Sequence, residues 1–382
     1  MATVVTSIGS NSSIDTETTS SCSGSSSPYT VAFATTPTGV NIGDKVEIAD
    51  ESSYYSTFTY RVTGISGTSY TLAYVTDGGS WGDVSPCSLL DFSWSQAPAT
   101  FKRFYTSITN WEAGLDDSTV YSSGDGAVGE CHNDAIFNET VEINGGTSGG
   151  LASVKLSVHS DSRHTGTAGT GARIITSSTA IVINVTRNNT IVEWLEIENT
   201  STAVTTSQPC LVRLGWQSSS GNENSARNLI VHDLNISDTY GISGIRFSEY
   251  NFVQNCFVYA INNADATSRA NGIQGSGTGA VISNNTVLDV MTNGVTSCGH
   301  ALNGSALVRN NIVLSAGGDC FIDSCGVTVP ASSNYNLSDD LTAFGADAVT
   351  SADGVTAANT ITNTTSGAEN LHLKAGSYAI EA

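Results

Sequence analysis

Along the second half of the chain, short apolar runs are interrupted by polar pairs, and the arrangement recurs. Ile191–Ile197 reads IVEWLEI, Ile230–Ile236 IVHDLNI, Phe252–Val258 FVQNCFV, Val281–Val287 VISNNTV and Leu307–Val313 LVRNNIV. A weaker copy, SSNYN, spans Ser332–Asn336. Each copy has an apolar follower: GISGIRF from Gly241, NGIQG from Asn271, NGVTS from Asn293 and DCFID from Asp319. Two short strands per unit of roughly 22 to 30 residues, with almost no helical periodicity, predict a solenoid.

The residue types select an all-β, right-handed parallel β-helix with loops of unequal length. Equivalent residues of successive coils then stack one strand spacing apart, and the apolar positions form continuous internal rows. Asparagine suits the corners because it tolerates left-handed backbone and because its amide can bond to the same amide one coil on. The alignment places Asn255, Asn284 and Asn310 at one corner position and Asn285, Asn311 and Asn334 at the next, predicting an amide ladder. Leucine-rich repeats would demand leucines at fixed offsets, which are missing.

Upstream, KVEIA, TFTYRVTGI and SYTLAYV alternate at period two between Gly-bearing turns, predicting hairpins in residues 27–77. Residues 1–100 are read as a β-rich attachment module. FYTSITNWEAGLDD, residues 104–117, predicts a short helix in a capping segment, 101–120. Thr109 and Glu112 have capping-box spacing and Gly114 offers a stop. Such a helix would shield the open end of a solenoid. The β-helix proper is expected over 121–336 and a closing segment over 337–382.

Composition narrows the function. Only 13% of the 382 residues are charged, 38 are Gly, and 14 Lys and Arg face 35 Asp and Glu, a formal charge of -21. Such a chain is repelled by phosphate backbones and anionic membrane surfaces, which argues against nucleic acid or a membrane as partner. No apolar run approaches the roughly 18 residues of a membrane span. The opening MATVVTSIGSNSS lacks the basic and apolar regions of a secretory signal, so folding in a cytosol is expected. Eight cysteines without a CxxC pair predict buried thiols rather than a zinc or redox site.

The order WEAGL, GECHNDAIFNETVEI, SRHTGTAGTGARI, IVEWLEI, the Asn-Asn coils, NYNLSDD and LHLKAGSYAI resembles a pectate-lyase-like family of right-handed parallel β-helix proteins. These are virion proteins of tailed bacteriophages, with relatives in environmental bacteria. The resemblance covers roughly residues 100 to 382. Tyr378 and Glu381 stand where relatives carry proline and aspartate. It implies a virion-exterior protein made in the host cytoplasm, with the major capsid protein or other virion proteins as partners and a homotrimeric assembly. The fold also hosts polysaccharide-cleaving tailspikes, adhesins and inert coat components, so it does not settle function.

A glycosidase needs two carboxylates across a sugar site. Glu196 and Asp233, from adjacent coils, are the candidate pair, with Glu193, Asp319 and Asp323 as further acids. The polygalacturonase pattern fails, since CGHA around His300 has no Arg-x-Lys after it. The calcium-and-arginine pattern of pectate lyases fails as well: Arg246, Arg269 and Arg309 are surrounded by no acidic cluster in sequence. His132 beside Asn133 and Asp134, and Arg163 beside His164, form no nucleophile, base and orienter. Asp116-Asp117 and Asp339-Asp340 read as solvated turns. No metal site or cofactor is expected, a divalent cation such as calcium being the alternative. These readings favour a non-enzymatic exterior capsid decoration protein. The alternatives are a tailspike or fibre that binds or cleaves host polysaccharide, with a host glycan as partner, and an extracellular adhesin or filament subunit.

Overall fold

The structure, a computed structural model, describes residues 2–50, 56–75, 86, 97–202, 209–215, 223–239, 241–265, 268–276, 279–292, 298–303, 306–323, 332–343, 345, 347–364, 370–377 and 379. The NGVTS follower lies outside them, as do Cys87 and Cys325. No helix among the described residues is long and apolar enough to cross a membrane. The chain divides into two compact units, residues 1–135 with 145–152, and residues 136–144 with 153–382.

The larger unit is a right-handed parallel β-helix with three strands per coil, one more than the sequence pattern suggests. One coil runs Ser225–Arg227, Ile230–Ile236, Ile242–Phe247, and the next Phe252–Gln254, Phe257–Asn263, Ala270–Ser276. We call the faces they build first, second and third. Inward positions stack by register: Ile174, Ile197, Val231, Val258, Val287 and Val313 form one fully buried row on the second face. Leu156, Val192, Ala226, Val253, Ile282 and Val308 form another on the first.

The recurring runs straddle a corner. In FVQNCFV the chain leaves the first face at Gln254, bends at Asn255 and enters the second face at Phe257. Trp194, Asn228, Asn255, Asn284, Asn310 and Tyr335 all take left-handed backbone at this bend, with φ between 53° and 65°. IVHDLNI belongs elsewhere: Ile230 stacks on Phe257, not on Phe252. It resembles the corner runs because it also bends at a left-handed polar residue, Asp233 at φ 57°, in the middle of one strand.

The residue after the bend points inward. Asn285 donates Nδ2–H to Asn311 Oδ1 at 3.0 Å, and Asn311 donates to Asn336 Oδ1 at 3.1 Å. Each Oδ1 also accepts the backbone N–H of the coil below, at Cys256, Asn285 and Asn311. The third member is therefore Asn336; Asn334 instead bonds Asp347. The SSNYN copy sits two residues out of the aligned register because Leu337 stacks on Ile312. Asn255, Asn284 and Asn310 are exposed at the bend and outside the ladder. A second ladder, unseen in the sequence, caps the corner entering the first face: Thr190 N–H bonds Asn224 Oδ1, and Asn224 N–H bonds Asn251 Oδ1.

The C-terminal segment does more than close the last coil. Leu337–Ser338 adds a final rung, and the chain then returns along the outside of the second face. Val355 and Ile361 are buried with Ile230, Tyr259, Leu288 and Leu314, an outward apolar stripe. A hairpin of Ile361–Asn363 and Asn370–Leu373 ends this strap.

In the smaller unit, Thr3–Ile8 pairs in parallel with Gly126–Cys131, so the first residues lie outside the β-module. The module is a closed antiparallel six-stranded barrel between Asp15 and Lys102, filled by Tyr29, Phe33, Tyr60, Tyr70 and Phe101 among others. Cys22 is disulfide-bonded, which corrects the all-thiol expectation; Cys131, Cys210, Cys256 and Cys320 are buried. The helix is shorter than its pattern, Ile108–Ala113, followed by a single 3-10 turn. Ser107, not Thr109, is its N-cap, its Oγ accepting Asn110 N–H at 3.0 Å. Glu112 accepts Gly145 N–H at 2.7 Å instead of closing a capping box. Fully buried Trp111 lies against Gly129, where an added Cβ would stand 2.5 Å from the indole.

Candidate functional site

Strand alternation sends Ile197 and Val231 inward and Glu196, Glu198 and His232 outward on the second face. Glu196 stacks on Ile230 and Glu198 on His232, one coil apart. Here the outward stripe that is apolar in later coils becomes ionic. The loop of residues 163–171 folds over it and donates Gly169 N–H to Glu196 Oε2 at 2.6 Å.

The two carboxylates proposed as a pair meet through an imidazole. His232 Nε2 lies 3.2 Å from Glu196 Oε1, and His232 Nδ1 lies 2.8 Å from Asp233 Oδ2. The left-handed bend at Asp233 lets its carboxylate turn back onto the ring that precedes it. Tyr259, the next residue in the row, stacks on that ring at 4.9 Å between centroids and 6° between planes. Glu196 and His232 are 2% and 4% exposed, whereas the Asp233 side chain is 40% exposed and Glu198 half-buried, so the cluster opens on one side.

Electrostatics follow the geometry. Burial opposes charge on His232, but hydrogen bonds to Asp233 and Glu196 outweigh it and raise its pKa to about 9. Burial would push Glu196 up; the bonds from His232 and Gly169 N–H hold its carboxyl below the ordinary range. Glu198 receives no such help: burial, then the like charges of Asp233 and Glu196, push it up against the pull of His232 and Arg173. The His232 cation sits between Glu196 and Asp233, so they do not face each other across a sugar-sized gap.

The other polar concentrations resolve into local roles. Glu193 is buried against Ser157, Lys155 and Arg227, with 2.6 Å to Arg227 Nε. Arg163 lies over the Trp194 ring at 4.8 Å, and His164 Nε2 bonds the Asn228 carbonyl at 2.8 Å. Asp134 pairs with Arg103 at 2.8 Å, and the buried His132 donates its backbone N–H to Ile8. Asp117 and Asp340 accept from Thr119 and Thr342 two residues on, as turn residues do. Asp116, by contrast, accepts from Ser148 and Gly149, Asp339 from Ser315 and Asp340 from Cys320, bonds between distant segments rather than the solvated turns expected. Arg246 stacks on Arg213, and burial together with that like charge lowers it to about 10. Asp319 is exposed; the side chains of His300 and Asp323 lie outside the described residues.

A groove of about 530 Å³ runs beside the corner, between the exposed bend residues Asn284, Asn310 and Tyr335 and the terminal hairpin with His372 and Leu373. Phe257, Ile312 and Leu337 also line it. Tyr335 is 55% exposed there. The sequence pattern brings Glu196 and Asp233 to adjacent coils but sets Ile230 level with Ile191, whereas Ile230 stacks on Glu196, so the pattern does not place His232 between the two carboxylates. The available signal was His232 preceding Asp233 in an otherwise apolar run.

No protein-family model matches the chain, nor does any curated protein sequence. Among solved structures, the chain is similar to a pectin methylesterase from Aspergillus niger at 12% identity, over 70% of this chain and 89% of that one, with a TM-score of 0.36. It is similar to the Gp54 tailspike of Acinetobacter baumannii bacteriophage AP22, solved with a capsular saccharide, at 13% identity over 90% of this chain, with a TM-score of 0.18. The chain spans 64% of that tailspike's length, and at these values neither likeness assigns an activity.

Proposed function

We propose that the chain is a non-catalytic structural protein of the exterior of a tailed-bacteriophage particle, decorating and stabilising the capsid as a homotrimer. The observation that carries the non-catalytic part is the imidazole held between Glu196 and Asp233, which consumes the carboxylate pair a glycosidase would require. The virion part rests on the sequence resemblance. Stacked sheets with amide ladders at two corners suit a coat exposed to proteases, since every coil is bonded to its neighbours. The test is cryo-electron microscopy of native particles together with saccharide-release assays on the purified chain. Density at icosahedral positions on the head and no release of reducing ends are expected. Density at the tail tip with release that Glu196→Gln abolishes would overturn the proposal.

A second reading, a fibre that binds host polysaccharide without cleaving it, is favoured by the groove at the corner. An exposed tyrosine ring beside the Asn284 and Asn310 amides offers a stacking surface and hydrogen-bonding groups together, the combination a sugar ring requires. Glycan-array binding that is lost in Tyr335→Ala would favour this reading over decoration.

A further inference from the structure

Glu196, Glu198 and His232 each offer one ligand atom, and these atoms lie within 4.8 Å of one another. Register produces the convergence: two carboxylates two residues apart on one strand sit one coil below an imidazole. Three carboxylates, counting Asp233, thus crowd a single imidazole.

A second observation points to a ligand on this cluster. His232 Nδ1 is tied to the Asp233 carboxylate, and stacking on Tyr259 fixes the ring plane. Metal binding would displace the Nε2 proton and leave the other on Nδ1, so that the freed lone pair is directed toward Glu196 Oε1, 3.2 Å away. A carboxylate bonded to the distal nitrogen is the usual second partner of a metal-bound histidine. We propose that Glu196, Glu198 and Nε2 of His232 bind a transition dication of the zinc class. One imidazole nitrogen with two carboxylate oxygens fits a tetrahedral centre whose fourth position faces the open side at Glu198. Calcium fits poorly, because it takes six to eight oxygens and gains little from an imidazole. This assignment is independent of the virion reading.

The experiment strips the full chain with EDTA and titrates it with ZnCl2 by calorimetry. A single zinc per chain is expected. His232→Asn and Glu198→Gln should abolish uptake, and Asp233→Asn, which removes only the orienting carboxylate, should weaken it roughly 10- to 100-fold. Exposed Glu249→Gln should bind as the unaltered chain does. Because His232→Asn could disturb folding, Co2+ loading of the unaltered chain provides a second readout through its visible absorption band. Failure of the folded, unaltered chain to take up Zn2+ or Co2+, or uptake undiminished in both His232→Asn and Glu198→Gln, would overturn the proposal.

Discussion

The ring of His232 lies parallel to that of Tyr259, 6° from coplanar and 4.9 Å away, one rung apart on the outer side of the second face. The contact is the point where an apolar stripe becomes an ionic cluster. It also holds the imidazole in the one orientation that reaches both Glu196 and Asp233.

That cluster makes stability pH-dependent in the metal-free chain. The folded pKa of His232, about 9, lies above its ordinary, unfolded value of 6.5. A raised histidine stabilises fully below the unfolded pKa and loses its contribution as pH rises through the folded one. Unfolding free energies from urea titrations in EDTA should therefore fall between about pH 6.5 and 9, by on the order of 3 kcal/mol. His232→Asn should flatten that window. An unchanged slope in the variant would dissociate the effect from this residue.

The inward and outward asparagines of the corner should respond differently. Asn311 is fully buried and joins Asn285 to Asn336 while donating to the Ile282 and Arg309 carbonyls. Asn311→Ala should cost about 3 kcal/mol in chemical denaturation, from the donors and acceptors it orphans. Asn310, exposed at φ 55°, should tolerate Gly and lose about 1 to 2 kcal/mol as Val, whose branched Cβ resists left-handed backbone.

On the third face, Gly275 stacks on Phe247, and a Cβ there would stand 1.8 Å from the ring. Gly275→Ala should therefore destabilise by about 1 to 3 kcal/mol through overpacking. Phe247→Leu in the same chain should recover part of that loss, a coupling that thermal unfolding of the four-member cycle would measure.

In the smaller unit, Asp44 is fully buried and bonded to Arg103 at 3.1 Å. Burial nevertheless pushes its carboxyl above the ordinary range. Arg103→Met would leave that acid without its cation and should cost about 3 to 5 kcal/mol near neutral pH. Adding Asp44→Asn, or lowering the pH so that Asp44 protonates, should recover stability, which calorimetric unfolding across pH would show.

The sequence by itself determined the solenoid, since apolar runs with left-handed corner residues are local and survive loops of any length. It also revealed the helix, because Trp111 and Gly114 mark it within a few residues. It could not determine register. A mid-strand bend at Asp233 and a corner bend at Asn255 read alike, so the pattern sets Ile230 on the wrong face and gives Asn334 the ladder place that belongs to Asn336. Only the stacking of coils decided which side chains meet. Glu196 and His232 are 36 positions apart in the chain and 3.2 Å apart in space because parallel pairing is set by the length of the intervening loop, which no local pattern encodes. The same holds for the strap that buries Val355 against Leu288: its apolar residues are visible in the sequence, but the stripe they cover exists only once the coils have stacked.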